Sequence, residues 1–277
     1  MKIICESGAT KGDWRVIEGG RQIAAIQTAG TNVSAMNASA VEAIIRSAAA
    51  SLPAGPYEAV YFYTAGVIVP EILAWLEPLL KECFVCDSVE VQSDLVAAAR
   101  AACGHEPGIA LILGTGCSSC EYDGREIVKR VPSGGYIIGD EGSASVLGKL
   151  FISDYIKNQL PAAVAQDFTE KYGLDYPAIV QKVYHNEGSP SGWLGNLCPF
   201  ILSHYADPYI KAMVDGNFQS LVDRCLRQYD TARYPVGIIG GFGNALRDIV
   251  SRIFAENGIR IRAFIPSPIE ELITYHA

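Results

Sequence analysis

The first hundred residues alternate between two kinds of hydrophobic spacing. Lys2-Ile3-Ile4-Cys5 is a strand-like run that leads into a glycine-containing turn, Glu6-Ser7-Gly8-Ala9-Thr10-Lys11-Gly12. Two more strand-like runs follow, Trp14 to Glu18 and Arg21 to Gln27, separated by Gly19-Gly20, and together they predict an antiparallel meander. From Ala38 to Leu52 the spacing becomes helical: Val41, Ile44, Ile45 and Ala48 share a face, with Asn37 or Ser39 placed to cap it. A buried strand over Ala59 to Tyr63, a helix after Pro70, a strand around Val85 to Val91 and an alanine-rich helix from about Asp94 to Cys103 complete this part. Strands that pair first and are later separated by helices predict a mixed sheet with helical cover.

After Gly104-His105-Glu106-Pro107-Gly108 the theme restarts. Ile109 to Leu113 reads as a strand entering Gly114-Thr115-Gly116, and Ser119 to Tyr122 pairs with Ile127 to Val131 across Asp123-Gly124. The order of strand, glycine-rich turn and hairpin thus occurs twice, as in an internal duplication. Residues from Ser143 to about Tyr229 read as helical and carry no assignable chemistry, His185 and His204 included. The last section is a strand, Val236 to Ile239, a glycine turn, Gly240-Gly241-Phe242-Gly243, a helix from Asn244 to Glu256, a strand, Arg260 to Phe264, and a short helix from about Pro268.

Composition narrows the possible functions. With 277 residues, 49% of them hydrophobic, the chain can bury a full core. Its formal net charge of -8 disfavours non-specific binding to nucleic acid or to anionic membrane. No apolar run approaches the roughly 20 residues needed to cross a bilayer, and the first residues lack a signal-peptide pattern, so the expected location is the cytoplasm. The eight cysteines are then expected as reduced thiols. Cys83 with Cys86 and Cys117 with Cys120 have C-x-x-C spacing, but neither pair sits in a zinc-knuckle turn.

Three glycine turns follow buried strands: the one at Ser7-Gly8-Ala9-Thr10, the one at Gly114-Thr115-Gly116 and the one at Gly240 to Gly243. Small residues there let main-chain amides approach a polyphosphate, and the hydroxyls of Ser7, Thr10 and Thr115 add donors without bulk. Neither G-x-x-x-x-G-K-[ST] nor G-x-G-x-x-G after a first strand is present, so the commonest nucleotide folds fit poorly.

These stretches resemble the acetate and sugar kinase, heat-shock and actin superfamily, and within it the BadF/BadG/BcrA/BcrD ATPase family in its N-acetylglucosamine kinase-like branch. Glu6-Ser7-Gly8-Ala9-Thr10-Lys11 is similar to that family's first phosphate loop, and Leu113-Gly114-Thr115-Gly116 to its second. Gly139-Asp140-Glu141-Gly142-Ser143-Ala144 matches the family's G-D-E-G-S-A letter for letter, and Pro268-Ile269-Glu270-Glu271-Leu272 is similar to its C-terminal helix. The resemblance implies an α/β chain of two RNase H-like, actin-like ATPase domains, with mixed sheets flanked by helices and the nucleotide in the interdomain cleft. The expected division is 1–104, joined by a C-terminal helix over 266–277, and 105–265, which carries the helical insertion.

It also implies roles. Asp94 corresponds to the family's general base, and Ser93 is available to cap the helix instead. Glu6 would hold Mg²⁺ through water. Ser7, Gly8, Ala9, Thr10 and Lys11 with Gly114, Thr115 and Gly116 would hold the phosphates of ATP, and Gly240, Gly241, Phe242 and Gly243 would line the adenosine. On the sugar side stand Asn32, in Gly30-Thr31-Asn32, together with Ser118, Gly135 and Asp140. Ser118 replaces the family's Asn, and Gly134 replaces its Trp. The implied activity is ATP-dependent phosphorylation of a small sugar by a homodimer. Two alternatives stay open from the sequence: an iron–sulfur ATPase activator of the 2-hydroxyacyl-CoA dehydratase or benzoyl-CoA reductase type, and a non-catalytic sugar sensor of the same fold.

Overall fold

The structure is a computed structural model and describes all residues except 9–10, 34–35, 67–69 and 186–187. In chain order its first elements are β1 (Lys2–Ser7), β2 (Lys11–Glu18), β3 (Arg21–Ala29), α1 (Ala38–Ser51), β4 (Tyr57–Thr64), α2 (Pro70–Phe84), β5 (Cys86–Ser93) and α3 (Asp94–Cys103). Next come β6 (Gly108–Leu113), β7 (Cys117–Tyr122), β8 (Ile127–Val131), α4 (Gly135–Ile138), α5 (Ala144–Ile156), α6 (Ala162–Tyr172), α7 (Tyr176–Tyr184), α8 (Pro190–Gly195), α9 (Cys198–Ser203) and α10 (Pro208–Arg224). The chain ends with β9 (Val236–Ile239), α11 (Gly241–Ala245), α12 (Arg247–Glu256), β10 (Ile261–Ile265) and α13 (Ile269–Tyr275). Among the described residues no helix is long and apolar enough to cross a membrane.

Two compact units result. The first takes in Met1–Pro107, Tyr122–Ile127 and Ser267–Ala277. Its five-stranded sheet has the order β3-β2-β1-β4-β5, with the meander antiparallel and β1, β4 and β5 parallel. Alternation along β1 explains the two layers of cover. Ile3 and Cys5 face a core built with Trp14, Val41, Ile45 and Leu76, whereas Ile4 joins Tyr63, Ala97, Ile269 and Leu272 on the opposite side. Helix α13 therefore seals a face of the sheet that contains the first strand.

The second unit comprises Gly108–Glu121 and Val128–Pro266, with a sheet ordered β10-β9-β6-β7-β8. β6, β9 and β10 run parallel. Helices α5 to α10 build one continuous core on this sheet, with Leu147, Phe151, Phe168, Phe200 and Phe218 fully or almost fully buried. The helix expected over Asn244 to Glu256 is broken at Leu246 into α11 and α12. The expected turn Gly240 to Gly243 is likewise different: only Gly240 turns, with φ 121°, and the next three residues already belong to α11.

Candidate functional site

In open parallel sheets, ligands gather at the carboxyl ends of the strands. The first unit collects its predicted site residues there. Ser7, Thr64 and Ser93 lie in register across β1, β4 and β5, so Glu6 and Asp94 flank one strand edge. Asn32 joins it by a parallel bridge to Ala65, while the Ala65 N–H donates to the Ser7 carbonyl at 3.0 Å. Ser93, not Asp94, caps α3: its hydroxyl accepts from the Val96 N–H at 3.2 Å, which leaves capping out of the Asp94 carboxylate's duties. Burial, and next the charge of Asp94, push the Glu6 carboxyl up to about 7, with Lys11 working the other way.

A buried hydroxyl cluster fixes this edge. The Thr31 N–H donates to Ser7 Oγ at 2.8 Å, and Thr31 Oγ1 lies 2.9 Å from Ser7 Oγ and 2.8 Å from Thr64 Oγ1. Thr64 Oγ1 donates to the Thr31 carbonyl at 2.6 Å. The Ser7 hydroxyl, expected as a phosphate donor, is thus buried and ties down the segment that carries Asn32. The Gly8 N–H closes the turn onto the Lys11 carbonyl at 3.0 Å, and Lys11 is exposed at the start of β2. Ala9 and Thr10, also assigned to this phosphate loop, lie outside the described residues.

The second unit gathers a separate set. Gly114-Thr115-Gly116 is a tight turn between β6 and β7, closed by the Gly114 N–H donating to the Gly116 carbonyl at 3.0 Å. The first amides of α5 hold it from behind: Ala144 N–H donates to the Gly114 carbonyl at 3.0 Å and Ser145 N–H to the Thr115 carbonyl at 3.1 Å. Thr115 itself is exposed. At the end of neighbouring β9, a Cβ on Gly240 would stand 2.4 Å from the Leu113 carbonyl oxygen, so only glycine lets these two loops touch. Phe242 is half-buried with its ring stacked on Phe218 at 6.1 Å between centroids.

Asp140 sits beside the same turn. Its amide donates to the Ser133 carbonyl at 2.8 Å, and burial pushes its carboxyl up to about 6 against a backbone hydrogen bond from Cys117 that favours the charged form. Ser118 is half-buried in β7, and Gly135 opens α4, a helix that the surrounding glycines hid in the sequence. Glu141 is engaged elsewhere, in an ion pair with Arg224 at 2.5 Å. A residue that the sequence did not single out completes the frame. Asn217, buried in α10, accepts from the Gly142 N–H at 3.0 Å and donates to the Ser143 carbonyl at 3.1 Å, bracketing the head of α5.

The thiol pairs build no cage. Cys117 and Cys120 are three apart in a strand, which aims them at opposite faces. Among the described residues no three His, Cys, Asp or Glu side chains converge as a metal site.

No protein-family model matches the chain, and no curated protein sequence matches it. Solved structures do. One from Porphyromonas gingivalis, provisionally assigned as an N-acetylglucosamine kinase, is 36% identical, with TM-score 0.91 over 100% of this chain and 98% of that one. A second with the same provisional assignment, from Chromobacterium violaceum, is 20% identical with TM-score 0.79, covering 100% and 98%. A ROK family glucokinase from Streptomyces griseus, solved with glucose and AMPPNP, is 16% identical with TM-score 0.55, covering 99% and 97%. The last two share the fold of two actin-like α/β domains.

Proposed function

The chain belongs to the family of the Porphyromonas gingivalis protein, and from that premise we infer that it is an ATP-dependent kinase of a small amino sugar such as N-acetylglucosamine or glucosamine. The observation that carries this reading is the 36% identity over the whole length to a protein provisionally assigned that activity. The letter-for-letter Gly139-Asp140-Glu141-Gly142-Ser143-Ala144 stretch supports the finer assignment to the kinase branch of the BadF/BadG/BcrA/BcrD family.

Phosphoryl transfer needs positioning and charge stabilisation more than covalent help. The exposed Thr115 hydroxyl and the turn's main-chain amides other than that of Gly114, which the Gly116 carbonyl takes, suit a phosphate tail, because they are hydrogen-bond donors and phosphate oxygens accept. Asp94, relieved of capping by Ser93, takes the proton of the attacking sugar hydroxyl. Asn32 and Asp140 serve as polar partners for the other hydroxyls. Glu6 fits Mg²⁺: it is an oxygen donor whose charged form is penalised by burial and by Asp94, and a cation would reverse that penalty. Mg²⁺ usually takes one or two carboxylates plus phosphate and water rather than an all-protein cage, which agrees with a site of so few acids. When bound, it neutralises charge on the terminal phosphates.

A coupled assay of ADP release against glucosamine, N-acetylglucosamine, N-acetylmuramic acid, anhydro-muramic acid, glucose and mannose tests the reading. Release that depends on one of the amino sugars is the expected result. ATP consumption indifferent to every sugar would overturn it.

A further inference from the structure

The helical part of the second unit contains a cavity of about 380 Å³ between α4, α5, α7 and α8 that the reaction above does not use. Its floor is apolar, made of Ile152, Ile179 and Leu194, all buried. Its rim carries Tyr176 and Tyr184, which are 63% and 76% exposed and so offer ring faces to a ligand. Two cations, Lys149 and Lys157, line it, and among the described residues no acidic side chain does, in a chain whose net charge is -8. Neither lysine is ion-paired with a described residue. Lys149 Nζ donates to the Tyr136 and Ile137 carbonyls at 2.5 and 3.4 Å, and Lys157 Nζ donates to Ser153 Oγ at 3.1 Å. These acceptors are neutral, although the Lys149 charge is also felt by the Asp140 carboxyl, so an incoming anion would gain charge-assisted hydrogen bonds that these contacts do not supply.

We propose that this cavity is a binding site for a small amphipathic anion, an apolar or aryl body bearing one carboxylate, whose acid group is held by Lys149 and Lys157. Its volume lies in the range of ordinary small-molecule pockets, roughly 300–1,000 Å³. Occupancy has a built-in consequence. Lys149 is what ties α4 to α5, and α4 leads through Gly139, whose N–H donates to the Gly135 carbonyl at 2.8 Å, directly into Asp140. An anion that draws Lys149 away from those two carbonyls loosens the segment that presents Asp140.

The test uses 4-phenylbutyrate and its neutral counterpart 4-phenylbutanol in isothermal titration calorimetry with the whole chain. Saturable binding of the acid, at least about fivefold tighter than the alcohol, is expected from a charge-assisted contact. Val180→Trp, which fills the cavity from its partly exposed wall, should weaken both ligands by about tenfold or more, in line with loss of an enclosed apolar site. The paired changes Lys149→Met and Lys157→Met keep the aliphatic stems and should abolish the preference for the acid while sparing the alcohol. Amide hydrogen exchange over residues 135–140 should quicken when the acid binds. Equal affinity for acid and alcohol, binding untouched by Val180→Trp in a variant that melts like the parent, or unaltered exchange in that segment would each overturn the proposal.

Discussion

The carboxylate of Asp140 occupies the space that a side chain on residue 116 would need: a Cβ on Gly116 would meet Asp140 Oδ2 at 2.9 Å. Gly116, in the turn proposed to hold phosphate, is therefore also a seat for the acid. Gly116→Ala should push Asp140 aside and lower kcat/KM for the sugar by about 10–100-fold, the scale of a displacement near 1 Å. Thermal melting should change little, since Asp140 is only half-buried and stands outside the hydrophobic core of its unit. A double variant with Asp140→Ala that is no worse than Asp140→Ala alone would show that the two positions act as one.

Asp140 also sets a pH dependence. Its carboxyl is raised by burial from an ordinary 3.8 to about 6, so the folded state holds its proton more tightly than the unfolded chain does. The stabilisation from that proton is complete below the unfolded value and is lost as pH rises through about 6. Asp140→Asn should therefore be more stable than the parent at pH 8, by roughly 1 kcal/mol after discounting for solvent screening, and equal to it near pH 3.5. Chemical denaturation at the two pH values reads the difference.

Asp94→Ala should cut sugar-dependent ADP release by about 10²–10⁴-fold, the span of general acid–base contributions. Nucleotide affinity should stay within a few-fold. Retained turnover would remove Asp94 from its assigned role, while the Ser93 cap guards against a trivial loss of α3.

Asn217→Ala should act through stability. It strands the Gly142 N–H and the Ser143 carbonyl at a buried helix head, at a cost of about 2–4 kcal/mol. A drop in Tm of roughly 5–10 °C is expected in differential scanning calorimetry.

Much of this architecture was legible in the sequence because it follows local rules. The alanine-rich run gave α3 its full Asp94–Cys103 extent, and the strand, turn and hairpin order recurs in both units. What escaped detection depends on distant partners or on competing local signals. Asn217 is one polar residue inside a long helix, and its targets are 75 and 74 positions away. The Thr31 to Ser7 tether spans 24 residues, so nothing in the sequence signalled that the Ser7 oxygen also anchors the segment that carries Asn32. Gly134, Gly135 and Gly139 kept α4 from showing as a helix in the sequence. The break at Leu246 was hidden because apolar residues keep a helical spacing through it.

Helix α13 packs Ile269 and Leu272 onto Ile4 and Tyr63, so a layer of the first unit comes from the far end of the polypeptide. On the ribosome, residues 1–107 must wait with that face covered by α3 but not by α13 until 267–277 emerge, whereas every residue of the second unit has by then been made. The later-encoded unit can thus mature before the earlier one, and a fragment cut after Pro107 should be sticky rather than independently soluble.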